Sequence, residues 1–351
     1  MKSPDCDLGR RRFISVSSMV VGAGMLTGPR LLFASEPGSP GQGGPPQGGG
    51  GPMMGAPAKD DGTKYGKYIV LAQKNEATER GIPVVATMGG SIPDCDSMCL
   101  SGRMPPPGPM PGHDTWEKHA VPEYLIHLGS DPDDPMDLGA DVELYLGKGK
   151  LREKYEFSKT TAVYLPAGLP HCPWYVRNIK KPMTFVNIMV GMPSWGPNDQ
   201  SDEVLTKADL AKAKTSGDLF GKYLLSGVGK DVKHPEGGQM LAYTDCTRIA
   251  SAPITRIIRY RPEKAPYSIL GAQSREYASF LMFLGIDNDD ASKLGAGIEL
   301  RMGTEREVHT FDKSALVYVP PGVPHELSAK SAEKPFNFVE VVLGPEFPGT
   351  I

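Results

Sequence analysis

Beyond residue 34 this 351-residue chain has no run of Lys or Arg longer than the pair Lys180-Lys181. Its formal net charge is −3, from 38 Lys and Arg against 41 Asp and Glu. A protein without a basic stripe is not expected to bind nucleic acid. Long hydrophobic runs are also missing. The apolar run from Phe13 to about Leu26 is too short for a membrane span and follows a charged front end. Helical periodicity is nearly absent: only Ser201–Ala213 fits a short amphipathic helix. Cysteine is scarce, with five residues of which Cys6 lies in the leading segment. Cys95, Cys99, Cys172 and Cys246 allow three disulfide connectivities, and the sequence does not choose among them.

What is present describes a globular chain, 39% hydrophobic and 23% charged, and long enough for two domains of ordinary size. Gly9-Arg10-Arg11-Arg12-Phe13-Ile14 resembles a twin-arginine export signature, with small residues near Phe33-Ala34-Ser35 as a cleavage region. Residues 1–35 are therefore expected to be a signal segment read by the twin-arginine export machinery. That implies a periplasmic or extracellular protein exported folded, with an uncleaved membrane anchor as the alternative. Without residues 1–34 the balance is 33 basic against 39 acidic, about −6. Residues 36–62, rich in Gly and Pro, are expected to be a disordered tether.

After the tether the chain repeats itself. Gly66-Lys-Tyr-Ile-Val matches Gly221-Lys-Tyr-Leu-Leu, and Leu138–Gly147 matches Leu294–Gly303. Thr161–His171 matches Ser314–His325, and Lys181-Pro-Met-Thr-Phe-Val matches Lys334-Pro-Phe-Asn-Phe-Val. Most offsets are 153 to 156 residues, too long for a solenoid unit, so a whole domain is duplicated. The expected units are 63–200 and 201–351. Within each copy the pattern is that of strands. Val142, Leu144 and Leu146 alternate with Glu143 and Tyr145, while Thr184–Val190 reads as a more buried strand. Frequent Gly and Pro suit a closed all-β fold.

The chemistry-bearing residues lie in the first copy. Glu117, His119, Glu123 and His127 share one parity, so on a strand they point to one side. A second strand entered through Pro166-Ala-Gly168-Leu-Pro-His171 can bring His171 to the same interior. Two imidazoles and two carboxylates converging inside a barrel form a plausible set of ligands for iron, manganese, nickel or zinc. His127 is expected in the core rather than on the metal, because Phe283 stands opposite it in the second copy. His113 is a reserve ligand. Glu143 recurs as Glu299 and is expected to be structural. Trp116, Trp174 and Trp195 are candidates for the pocket mouth. Cys95 and Cys99 are expected as a local disulfide or free thiols, and Cys172 as packing turned away from His171. Met88, Met98, Met104 and Met110 make a weak Cu(I) candidate. In the second copy, Gln273, Arg275 and Ser279 stand opposite Glu117, His119 and Glu123; only His325 survives opposite His171. An Arg in the place of a ligand opposes a cation, so a single metal site is expected.

These residues resemble the two motifs of the cupin superfamily. His119, Glu123 and Gly129 match the second His, the Glu and the closing Gly of the first motif, while Pro166, Gly168 and His171 match the second. Glu117 stands where the first His is usual, the gap to Gly129 is one residue short, and Tyr175 replaces the usual Asn. The resemblance implies an all-β bicupin: two tandem double-sheet β-barrels of jelly-roll type joined by a short helix. It also implies one divalent transition metal (Fe, Mn, Ni or Zn) held by His119, Glu123, His171 and Glu117, with Glu117 or Glu123 moving protons. The implied activity is that of a metal-dependent oxidoreductase or lyase, a dioxygenase or decarboxylase among them, on a small anionic organic molecule. A non-catalytic periplasmic protein that binds metal or ligand is the alternative. Cupin barrels often pair, which admits a homodimer.

Overall fold

The computed structural model describes residues 61–76, 81–87, 91–106, 110–113, 116–191, 214–215, 219–228, 232–250 and 252–344. The signal segment, nearly all of the tether, the helix expected over Ser201–Ala213, Met88 and Trp195 lie outside them.

In chain order the strands begin with β1 (Ile69–Leu71), β2 (Ile82–Thr87), β3 (Met98–Met104), β4 (Met110–His113) and β5 (Glu123–Gly129). Then come β6 (Asp137–Leu146), β7 (Glu153–Lys159), β8 (Thr161–Leu165), β9 (His171–Arg177) and β10 (Met183–Met189). Two short strands follow, β11 (Lys214–Thr215) and β12 (Leu224–Leu225). The second copy adds β13 (Gly238–Thr244), β14 (Thr255–Tyr260), β15 (Tyr267–Gln273), β16 (Ser279–Gly285) and β17 (Lys293–Met302). It closes with β18 (Glu307–Lys313), β19 (Ala315–Val319), β20 (His325–Ala332) and β21 (Phe336–Val342).

Each copy is a pair of sheets, as the all-β expectation requires. The first packs β12-β8-β5-β10-β3-β2 against β11-β7-β6-β9-β4. The second packs β1-β19-β16-β21-β14-β13 against β15-β20-β17-β18. Strand for strand, the larger sheets have the same order. The matched leader segments change places: β1 precedes the first copy but pairs with β19, and β12 precedes the second copy but pairs with β8.

The central strands of the larger sheets, β5 and β16, are buried on both faces. Every residue of Glu123–Gly129 and of Ser279–Gly285 is buried. In β5, Leu125 faces the interior of the first barrel, whereas Tyr124, Ile126 and Leu128 join the core of the second copy. Two arginines finish this junction. Arg259 donates to the carbonyls of Gly129 and Asp131, both at 2.7 Å, and to Asn337 Oδ1 at 2.7 Å. Reciprocally, Arg103 donates to the carbonyl of Gly285. Gly129 and Gly285 are also sites of close approach, because a Cβ on either would drive into the carbonyl of Asp137 or Lys293. The motif glycine is thus demanded by packing between the strands.

Candidate metal centre

The two motif halves are stitched together through the backbone. Glu117 and His171 exchange N–H···O bonds of 2.9 Å in both directions as an isolated antiparallel bridge. Pro166-Ala-Gly168-Leu169 makes a turn in which Leu169 N donates to Pro166 O at 3.0 Å, with Gly168 at φ +80°. That positive φ is what the third position of a type II turn requires, and Gly meets it without strain. Gly168 N then donates to His119 O at 2.7 Å, which pins the turn beside His119. The second copy repeats the contact, with Gly322 N donating to Arg275 O at 2.8 Å. His119 and His171 are therefore neighbours in space although some fifty residues separate them.

The four expected donors meet inside the first barrel. His119 and His171 have ring centroids 5.1 Å apart. Glu123 Oε2 lies 3.1 Å from His171 Nε2 and 3.4 Å from His119 Nε2. Glu117 Oε1 lies 3.4 Å from His171 Nε2 and 4.0 Å from His119 Nε2. All four residues are buried. Bonds of about 2.0–2.3 Å to one ion place adjacent donors about 3–3.7 Å apart, so three of these spacings match the edges of a coordination polyhedron. His119 Nδ1 and Nε2, His171 Nε2 and Glu123 Oε2 are buried and make no hydrogen bond. Such atoms are costly to leave so, and a cation would satisfy His119 Nε2, His171 Nε2 and Glu123 Oε2.

The surroundings fix the donors in place. His171 Nδ1 donates to Leu169 O at 3.0 Å, which leaves the Nε2 lone pair directed at the carboxylates. Burial alone would lower the His171 pKa, but Glu123 and Glu117 outweigh it and raise it to about 10. A cation here would take the place of that proton. Asn187 Nδ2 donates to Glu123 Oε1 at 2.6 Å, holding the carboxylate with its other oxygen toward the histidines. Asn187 was missed in the sequence; its signal was a lone amide within the apolar strand Thr184–Val190.

The shared parity holds for Glu123 and His127 on β5, but Glu117 and His119 precede that strand on irregular backbone. His127 lies deeper among Phe157, Trp174 and Phe185, and Trp174 Nε1 donates to its Nε2 at 3.0 Å. Burial pushes its pKa down to about 3, so it stays neutral. His113 sits on β4 opposite Trp174. Glu143 is engaged outside the cluster by Tyr145 at 2.9 Å and Arg177 at 3.9 Å. Met98 and Met104 are buried packing residues. Among the described cysteines none forms a disulfide. Cys99 packs its sulfur 3.5 Å from Met282 Sδ.

Cys172 differs from its expected place. Strand alternation turns it away from His171, yet its Sγ lies 3.6 Å from Glu117 Oε1. Glu117, His171 and Cys172 offer donor atoms that all lie within 4.8 Å of one another, as do His119, Glu123 and His171.

In the second copy the matched positions satisfy each other. Gln273 Nε2 lies 3.0 Å from His325 Nε2, and Arg275 Nη2 donates to Glu340 Oε1 at 2.8 Å. Arg256 Nη1 pairs with Glu340 Oε2 at 3.0 Å. Two guanidinium groups thus surround one buried carboxylate.

No family model matches the chain, and no curated protein matches it. Solved structures of oxalate decarboxylases are similar at low identity. One, a Bacillus subtilis oxalate decarboxylase studied for its Mn(II) centres, shares 11% identity at a TM-score of 0.48, over 79% of this chain and 76% of that one. A second, studied for its substrate binding mode, shares 12% at the same TM-score and coverage. A third, the Bacillus subtilis enzyme at pH 4.6, shares 11% at 0.47, over 79% and 75%.

Proposed function

We propose that the first barrel holds one divalent transition metal through His119, His171, Glu123 and Glu117, and that the protein is a metal-dependent oxidoreductase or lyase acting on a small oxygen-bearing organic anion. The observation that carries this reading is the meeting of His119 Nε2, His171 Nε2 and Glu123 Oε2 at 3.1–3.4 Å, three buried atoms that make no hydrogen bond. A bound divalent ion would supply Lewis acidity toward a substrate oxygen.

The chain's own residues divide the work unequally. Glu123 is fixed by Asn187 and sits on a strand paired on both sides, so it is assigned to holding the metal. Glu117 lies on an isolated bridge and stands farther from His119, at 4.0 Å. It is the looser carboxylate and the one assigned to take up or deliver a proton. Leu169 O keeps the proton of His171 on Nδ1. The substrate class rests on chemistry alone: oxygen-rich small anions are the natural ligands of a hard or borderline cation.

A second reading is a non-catalytic metal-holding protein. It is favoured by the burial of all four donors, since a closed set of ligands is the habit of structural sites. Turnover separates the two. Metal-loaded protein would be assayed on a panel of small carboxylates and catechols, with and without oxygen. The enzyme reading expects turnover that Glu117→Gln abolishes while the metal stays bound. A fully loaded protein inert across the panel would favour the second reading. We also propose that residues 1–35 direct export, on the strength of Arg10-Arg11-Arg12-Phe13; a mature N-terminus near residue 35 would support it, and cytoplasmic retention of the intact chain would refute it.

A further inference from the structure

Cys172 follows the motif histidine on β9, and simple alternation would turn its side chain outward. The backbone does otherwise. β6 pairs Leu144 with Trp174 and then Leu146 with His171, so β9 spends an extra residue between those partners. Cys172 itself takes φ +73°, a conformation that costs a side-chain-bearing residue about 1–3 kcal/mol. The outcome is a bulge that re-aims one side chain, a device common beside functional sites.

The second copy supplies an internal control. There Leu300, Arg301 and Met302 pair in unbroken register with Leu327, Glu326 and His325. Glu326, the counterpart of Cys172, faces outward and pairs with Arg306. The bulge is found in the copy that carries the cluster of cation ligands; the matched stretch of the other copy, where no such cluster occurs among the described residues, has none.

Inside the first barrel the Cys172 side chain is buried, and its Sγ completes a triad with Glu117 and His171. The 3.6 Å from Sγ to Glu117 Oε1 is close to the roughly 3.6 Å expected between a sulfur and an oxygen bound tetrahedrally to one ion at about 2.3 and 2.1 Å. His171 belongs to both triads, and Glu117 Oε1 lies 3.4 Å from His171 Nε2 and 3.6 Å from Cys172 Sγ, which links the thiol to the donors of the metal centre.

We propose that Cys172 is a thiolate ligand of the same metal ion, so that the site takes a borderline, thiolate-accepting cation such as zinc or ferrous iron in preference to manganese. This rests on the reading that the first barrel binds a metal. Ligation replaces the S–H bond with a sulfur–metal bond and releases one proton for each ion bound.

The test uses the full chain, stripped of metal and loaded with Co(II). Wild-type protein is expected to show near-ultraviolet thiolate-to-cobalt charge-transfer absorption. Cys172→Ser should lose that band while still binding Co(II), with affinity reduced about tenfold or more, and Cys95→Ser should keep it. Should Cys172→Ser fail to fold, X-ray absorption of the zinc-loaded wild type gives the same answer through a sulfur scatterer at about 2.3 Å. Bound cobalt without the band, a band that survives Cys172→Ser, or zinc with only nitrogen and oxygen neighbours would overturn the proposal and leave the metal reading standing. Failure of wild-type protein to bind Co(II) at all would overturn both.

Discussion

The most tightly determined consequence of the structure concerns His127, and Phe283 at the matched position of the second copy supplies the substitution. His127 Nε2 accepts from Trp174 Nε1 at 3.0 Å within a cage of aromatic rings. Burial holds its pKa near 3 against the ordinary 6.5. The folded state therefore resists a proton that the unfolded chain takes up below pH 6.5. The sign follows: stability is full above that pH and falls as pH drops, by about 1.4 kcal/mol per unit, until about pH 3. From about pH 7.5 to 4.5 this single group should remove roughly 2.7 kcal/mol. His127→Phe abolishes that term, yet at neutral pH it strands the Trp174 N–H at a cost of about 1–3 kcal/mol. Wild type should accordingly be the more stable protein at neutral pH, and the advantage should vanish or reverse by about pH 4.5. The assay is urea unfolding with chelator present, so that metal release does not enter. Tryptophan fluorescence is the natural probe, because Trp174 bonds to His127 and all three Trp residues (Trp116, Trp174 and Trp195) precede residue 200. The other acidic and imidazole groups titrate in both proteins and largely cancel in the difference. A stability difference that is flat across this range would refute the reasoning.

Two further outcomes are expected. Arg259→Ala removes three hydrogen bonds of 2.7 Å from a buried guanidinium and strands two carbonyls between the barrels; it should cost about 3 kcal/mol or more in chemical denaturation, and a loss under about 1 kcal/mol would mean the junction does not depend on it. Asn187→Leu should lower metal affinity about 10- to 100-fold in a competition titration with a chromophoric chelator, by freeing Glu123 to rotate; unchanged affinity would show that Asn187 does not orient the carboxylate.

Much of this was legible in the sequence because it is periodic. A repeat of 153 to 156 residues and alternation in Val142–Leu146 led to two all-β copies, and the same sheet order appears in both. The contrast of His119 and Glu123 with Arg275 and Ser279 singled out the first copy as the place where cation ligands gather. What escaped was whatever depends on the third dimension. The exchange of β1 and β12 leaves no mark in local composition, since either short strand could pair with either barrel. Arg103 and Arg259 stand 156 residues apart in matched strands, but only the packed barrels aim them at each other's glycine carbonyls. Cys172 was misread for a plain reason: alternation assumes an unbroken strand, and a single bulge reverses its prediction. Asn187 faces Glu123 across neighbouring strands, a relation that needs the register and not just the residues.

The account stands or falls on whether the first barrel carries an ion. Elemental analysis of protein purified without added metal, wild type beside His171→Ala and His119→Ala, tests that directly. The account predicts about one transition-metal ion per wild-type chain and little or none in either variant, with the fold retained by circular dichroism. Metal-free wild-type protein that does not take up an ion when offered one, or equal metal in the variants, would contradict it.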